Sequence, residues 1–173
     1  YPPVPTVVKP EDQPVITIDG SDLDFWNGYG GFSKDGAEYV VRLAAGQSTP
    51  QPWINVISND NFGFHISAEG SGFTWSRNSR DYQLTPWSND AVTNRTGEAF
   101  YVADLDSGDV ISPISAASKR IDAVYETRHG LGYSVFISSG SDLEVELTVT
   151  VDQVEPVRFT KLTVRNTGTT ARR

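Results

Sequence analysis

The sequence predicts an all-β protein, an antiparallel β-sandwich. Three observations carry this. Leu143 to Val151, LEVELTVTV, alternates apolar and polar residues almost without fault. That is the period of a strand with one buried face. Turn-forming clusters recur roughly every ten residues, between about ten short strand-like runs. A helical period is nearly missing, and no repeat of propeller length occurs.

Residues 1–14 hold Pro2, Pro3, Pro5, Pro10 and Pro14. Proline at this density favours extended backbone and removes ladder donors, so this stretch is expected to be a linker or arm. The sandwich is expected to occupy 15–173, starting with a short strand over Val15 to Asp19. The run DLDFWNGYGG follows, where Gly28, Gly30 and Gly31 lie among aromatic residues. Its spacing is not GxGxxG and no βαβ pattern surrounds it, so it reads as a turn under aromatic packing. Ser33-Lys34-Asp35-Gly36 is a hairpin turn, and Glu38 to Leu43 alternates as a strand.

Ala44 to Gln51 is a loop. Trp53 to Ile57 is a strand whose apolar run Asn55 interrupts. Ser58 to Asn61 turns, and Phe62 to Ser67 alternates, with His65 on the polar face. Beyond the next loop, Glu98 to Asp104 and Val110 to Ile114 are expected strands. They flank the Asp-Ser-Gly-Asp turn that ends at Asp109. Ala116 to Asp122 is the one place for a helical turn. Ala123 to Arg128 alternates, His129 to Gly132 is a turn or bulge, and Tyr133 to Ser138 is a strand. After LEVELTVTV, Gln153 to Pro156 turns. Val157 to Asn166 then places Val157, Phe159, Lys161 and Thr163 on one side, with Arg158, Thr160, Leu162 and Val164 on the other.

Composition narrows the function classes. The 173 residues suit one domain able to bury roughly 70% of its unfolded surface. The net charge is −8, with no basic run beyond Lys119-Arg120 before Arg172-Arg173. This argues against a nucleic-acid partner and against contact with anionic membrane. No cysteine is present, so disulfide frameworks and thiolate metal sites are excluded. No HxH or HExxH occurs, and no resident cofactor or metal is expected. No apolar run approaches membrane-spanning length. Methionine is also absent, and the expectation is a piece of a longer polypeptide.

The segment Glu69 to Asp90, EGSGFTWSRNSRDYQLTPWSND, fits neither period throughout. It combines Trp75 and Trp87 with Ser76, Arg77, Asn78, Arg80, Asn89 and Asp90. Flat apolar faces beside amide and guanidinium donors suit a pyranose, which shows C–H faces and a rim of hydroxyls. The competing reading is a long loop whose tryptophans fill the domain's own core. Catalytic signals are weaker. Asp22 with Asp24, Asp104 with Asp106, and Glu144 with Glu146 are the paired carboxylates. The first two pairs lie in turns that favour aspartate, and the third lies on a solvated strand face. No GxSxG occurs. Asn94-Arg95-Thr96 fits the glycosylation triplet.

Several blocks, in order, resemble the amino-terminal domain of glycoside hydrolase family 94: NGYGGFSKDGAEYVVRL, PWINVISNDNFGFHISAEGSGFTWSRNSRDYQLTPWSND, RHGLGYSVF and LTVTVDQVEPVRFTKLTVRN. The resemblance covers about Asn27 to Asn166 and is closest to the cyclic β-1,2-glucan synthase and β-1,2-oligoglucan phosphorylase branch. It implies a supersandwich, here shorter than the family's. A downstream (α/α)6 barrel would supply the general acid and bind inorganic phosphate, the co-substrate. It implies a β-glucan or β-glucoside partner, met by Trp75, Ser76, Arg77, Asn78, Arg80, Trp87, Asn89 and Asp90 at an active-site entrance. It also implies dimer contact and a cytoplasmic position, in a parent that can be anchored in the inner membrane. Ala91 departs from the family's usual proline. The alternatives are a free-standing carbohydrate-binding module and a ligand-free structural sandwich.

Overall fold

The computed structural model of the chain describes residues 16–173, apart from 45, 89, 91, 118, 119, 121, 122 and 141. The expected linker over 1–14 lies outside the described residues. Eleven strands are present among them: β1 (Gly30–Phe32), β2 (Glu38–Leu43), β3 (Ile54–Ser58), β4 (Phe62–Ser67), β5 (Gly72–Ser76), β6 (Val102–Ala103), β7 (Val110–Ile111), β8 (Val124–Gly130), β9 (Tyr133–Gly140), β10 (Leu143–Val151) and β11 (Arg158–Asn166). No helix occurs among the described residues.

One layer is a six-stranded antiparallel sheet in the order β1-β2-β8-β9-β10-β11. Facing it are a three-stranded sheet, β3-β4-β5, and the small β6-β7 pair. The alternation of β10 decides which face is core. Leu143, Val145, Leu147 and Val149 are buried. Leu147 and Val149 meet Phe136 from β9 and Ile57, Phe64 and Ile66 from the smaller sheet, with Ile114 beside them. Leu143 and Val145 pack with Ile111 instead, against Val102 of the β6-β7 pair. A third cluster gathers Val41, Leu43, Ala68, Ala123 and Tyr125.

Two asparagines tie the layers together. Asn55, the polar break in β3, points into the sandwich. Its Nδ2 donates to the carbonyls of Gly130 and Tyr133 and to Ser134 Oγ, at 3.0, 3.0 and 3.1 Å. Asn59 Nδ2 donates to the carbonyls of Asp152 and Glu155, joining the β3-β4 turn to the β10-β11 turn. A half-buried amide is retained between layers when its donors are satisfied, and these carbonyls lie where the hairpins turn.

Several expected elements are corrected. Residues 16–19 form no strand; the Asp19 carbonyl instead accepts from Arg42 Nη1. The expected strand over Glu98 to Asp104 shrinks to β6. Ala99 and Phe100 both pack against the core, which breaks the period of two. The strand ending near Pro113 shrinks to β7, because residues 111–115 are all buried and proline offers no ladder donor. Residues 115–117 form a turn, and most of the helical turn expected over 116–122 lies outside the described residues. Strand β8 runs on through His129 to Gly130, leaving Leu131-Gly132 as the turn.

The carboxylate pairs are spent in ion pairs and turns. Arg42 bridges Asp22 and Glu126, at 2.6 and 2.7 Å, and Glu126 also holds Arg128 at 2.6 Å. The Arg42 hydrogen bond keeps Asp22 down at about 2. Asp24 pairs with Lys34, and Glu144 with Arg165. Asp104 Oδ1 accepts from the Asp106 amide while Oδ2 accepts from Arg172.

Strand β11 pairs with β10 alone. Register puts Leu162 and Val164 on the core side, opposite Leu147 and Val145, yet both stay exposed, as does Phe159 on the other side.

Candidate functional site: a groove on the outer face of the small sheet

Register sets the outer face of the β3-β4-β5 sheet. His65 sits opposite Val56 and Phe73, and Gly63 sits opposite Trp75. His65 therefore occupies the expected non-core face, but that face is aromatic. The His65 ring meets Phe73 edge-on at 4.5 Å between centroids. Phe73 lies between Trp75 and Trp87, 5.3 Å from each, and tilts 34° from Trp87.

Two glycines make room for this wall. A Cβ on Gly63 would come within 2.9 Å of the Trp75 ring. On Gly72 it would come within 2.0 Å of the His65 carbonyl oxygen, a backbone atom that cannot swing away. Gly72→Ala is therefore expected to pry β5 from β4 and lower stability by about 2 kcal/mol or more. A urea midpoint equal to wild type would refute the close approach.

Beyond β5 the chain forms a narrow loop. Arg77 takes a positive φ of 61° and donates its amide to the Asn61 carbonyl. Asn78 Oδ1 accepts from the Arg80 and Asp81 amides, closing an Asx turn. The chain then returns along β5: Tyr82 accepts from the Ser76 amide, and Leu84 donates to the Thr74 carbonyl. Past Pro86 it crosses the outer face, where Trp87 settles on Phe73.

The result is an open groove of about 390 Å³. Ile54, His65 and Trp87 supply apolar walls, while Asp90, Asn94 and Arg95 supply polar ones. Trp87 keeps 47% of its surface exposed, so it is supported by Phe73 from behind and free in front. Burial pushes the His65 ring below its ordinary value, so it is neutral at pH 7. Asp90 is held at about 2, first by the Thr93 hydroxyl and then by the Thr93 and Val92 amides. Asp90 is the one carboxylate among the described residues lining the groove, and it stays ionised. A glycosidic oxygen needs a protonated acid near neutrality, which this carboxyl is not. The arrangement suits binding of a neutral ring with hydroxyls.

The family model for the glycosyl hydrolase 94 supersandwich domain matches residues 37–173. The chain belongs to this family. It is 56% identical over 170 residues to the cyclic beta-(1,2)-glucan synthase NdvB of Rhizobium meliloti (strain 1021), an alignment covering 98% of the chain and 6% of that protein. It is 30% identical over 142 residues to the N,N'-diacetylchitobiose phosphorylase of Vibrio proteolyticus, covering 81% of the chain and 17% of that enzyme. The 3-O-beta-D-glucopyranosyl-beta-D-glucuronide phosphorylase of Paenibacillus borealis is 29% identical over 140 residues. The chain thus spans a small part of the length of these relatives.

Within this supersandwich domain the sequence-predicted site residues divide into two groups. Trp87 and Asp90 line the groove, and Trp75 joins its aromatic backing. Arg77, Asn78 and Arg80 lie exposed at the loop tip beyond β5, with Ser76 half-buried at its base; none of the four lines the groove. Asn89 lies outside the described residues. Ile54, His65, Asn94 and Arg95 line the groove without having been expected there. His65 and Ile54 could only have been found by knowing the strand register. The Asn94 side-chain nitrogen is buried, so the glycosylation triplet does not present its acceptor atom in the folded domain. No helix among the described residues is long and apolar enough to cross a membrane.

Proposed function

We propose that this domain is a non-catalytic, β-glucan-binding sandwich that shapes the active-site entrance of a family 94 enzyme, either an inverting β-glucoside phosphorylase or a cyclic β-1,2-glucan synthase. The observation that carries the reading is the half-exposed Trp87, backed by Phe73 and bordered by Asp90, Asn94 and Arg95. An aromatic face held from behind packs against the C–H face of a sugar at little entropic cost, and the Asp90 carboxylate and Arg95 guanidinium at the rim meet its hydroxyls. The names of the relatives, acting on β-1,2-glucan, chitobiose and a glucosyl glucuronide, support a β-linked saccharide as ligand.

In this proposal the reactive groups belong to a separate (α/α)6 barrel. That barrel binds inorganic phosphate or an acceptor sugar and protonates the glycosidic oxygen. The exposed Arg77 and Arg80 lie at the tip of the same loop and suit forked contacts to hydroxyls or to the barrel's entrance, including that of a second subunit. The working location is cytoplasmic.

The test is titration of the chain with β-1,2-linked gluco-oligosaccharides, followed by tryptophan fluorescence. Saturable quenching is expected, with affinity falling roughly tenfold to a hundredfold in Trp87→Ala. A flat titration for the wild-type chain, or an unchanged affinity in the variant, would leave the proposal without support.

A further inference from the structure

Arg158 opens the edge strand β11, opposite Val151 on the core side of the large sheet. Its side chain is largely buried, which is unusual for an arginine on an edge strand. It crosses the sandwich to the small sheet. The guanidinium carbon lies 4.3 Å above the centre of the Phe64 ring. Nη1 donates to Glu98 Oε2 at 2.7 Å and to Thr74 Oγ1 at 3.1 Å.

Those two acceptors share a property. Thr74 lies in β5, where the chain departs into the Trp87 loop, and Glu98 lies where the chain comes back from it. Thr74 is fastened to the loop through its own backbone. Its amide donates to Thr85 Oγ1 at 2.9 Å, and its carbonyl accepts from the Leu84 amide at 2.8 Å. The returning stem is fastened as well. Ser71 Oγ donates to the Arg95 carbonyl, and a Cβ on Gly97 would touch the Pro86 carbonyl oxygen at 2.9 Å. Pro86 precedes Trp87. One guanidinium therefore grips both stems of the loop at the level from which Trp87 is suspended.

We propose that Arg158 is a positioning residue for the groove: from the opposite sheet it clamps the departing and returning stems of the loop, and so fixes Trp87 over Phe73. Nη1 alone donates to both acceptors while the guanidinium plane lies over the Phe64 ring; a lysine keeps the charge and donors but offers no flat face to that ring. The geometry stands without any ligand; its consequence for saccharide affinity rests on the binding reading above.

The experiment uses the full chain with Arg158→Met and Arg158→Lys. Residue-resolved amide exchange is measured at Leu84 and Thr85 and at the central strands β8 to β10. Arg158→Met is expected to speed exchange at Leu84 and Thr85 by roughly tenfold or more while the central strands keep wild-type rates. Arg158→Lys is expected to recover part of the protection through Glu98. Affinity for β-1,2-linked gluco-oligosaccharides should follow the same order. Unchanged loop exchange in Arg158→Met overturns the proposal, and so does a rise shared equally by loop and strands, which marks plain stabilisation of the sandwich. Should Arg158→Met not fold, Glu98→Ala removes the clamp's acceptor on the returning stem alone. Faster exchange confined to the loop supports the clamp, and no change refutes it. Absence of saccharide binding in the wild-type chain sinks the binding reading, while the exchange measurements still decide the clamp.

Discussion

Phe64→Ala is expected to lower the unfolding free energy by about 3–5 kcal/mol, as large-to-small changes do in closely packed cores. Phe64 is completely buried, midway along β4, in the cluster formed with Ile57, Ile66, Ile114, Phe136, Leu147 and Val149. These residues come from both facing sheets, so no single strand can shift to fill the void. A second loss adds to the first. The Arg158 guanidinium rests on this ring, and truncation leaves the cation desolvated without its aromatic face. Domains of this size commonly hold only 5–15 kcal/mol in all, so the variant should lie near the limit of folding. Urea unfolding would show this as a midpoint drop at unchanged slope. Phe64→Leu should lose much less, because most of the volume survives. A loss under about 1 kcal/mol for the alanine variant would mean that Phe64 does not hold the two sheets together.

Acidification from pH 6.5 to 4 is expected to remove roughly 3 kcal/mol of stability through His129. This ring lies on the core face of β8, opposite Tyr39 on β2 and Ser134 on β9. Its Nδ1 is 2.8 Å from Ser134 Oγ, and that hydroxyl accepts from Asn55 Nδ2 and can donate its own proton to the ring. Desolvation lowers His129 from 6.5 to about 4, with a backbone contact to Trp53 acting the other way. The folded state therefore prefers the neutral ring. The contribution is complete above the unfolded value of 6.5, declines as pH falls below it, and is exhausted near pH 4, where the folded form protonates too. His65 is shifted in the same direction by the same cause and adds to the slope. Asp22 and Asp90, held near 2, lose most of their contribution below pH 4 and touch only the acid end of this window. Urea midpoints at pH 7.5, 6, 5 and 4 test it. His129→Asn should flatten most of the slope, and an equal midpoint at pH 7.5 and 4 in the wild-type chain would contradict the buried neutral ring.

Much of the architecture was legible in the residues. Strand β2 matches its alternating run from Glu38 to Leu43, and β10 matches LEVELTVTV residue for residue. A period of two over six or more residues is a local signal, set by which side chains tolerate water. Where burial stopped alternating, sequence reasoning overextended. Ala99 with Phe100, and Ile111 through Ser115, are buried consecutively, a pattern imposed by neighbours distant in the chain. Trp87 stands out as an aromatic among polar residues in an irregular segment, the family resemblance adds Asp90, and both line the groove. Arg77, Asn78 and Arg80 were grouped with them by proximity in sequence, but a positive φ at Arg77 and the Asx turn at Asn78 carry them to the loop tip.

The sequence by itself determined the all-β class, the strands with clean alternation, the turns between them and the aromatic character of the loop. Each of these follows from side-chain polarity or backbone preference within a few residues. The tertiary structure decided the rest. It chose which strands pair, and in what register, and so brought Ile54, His65 and Phe73 onto one face with Trp87. It also sent Arg158 across the sandwich to Thr74 and Glu98, residues 84 and 60 positions away in the chain. Such contacts depend on closing long loops around a shared core, and no short-range pattern records which closure buries the most apolar surface.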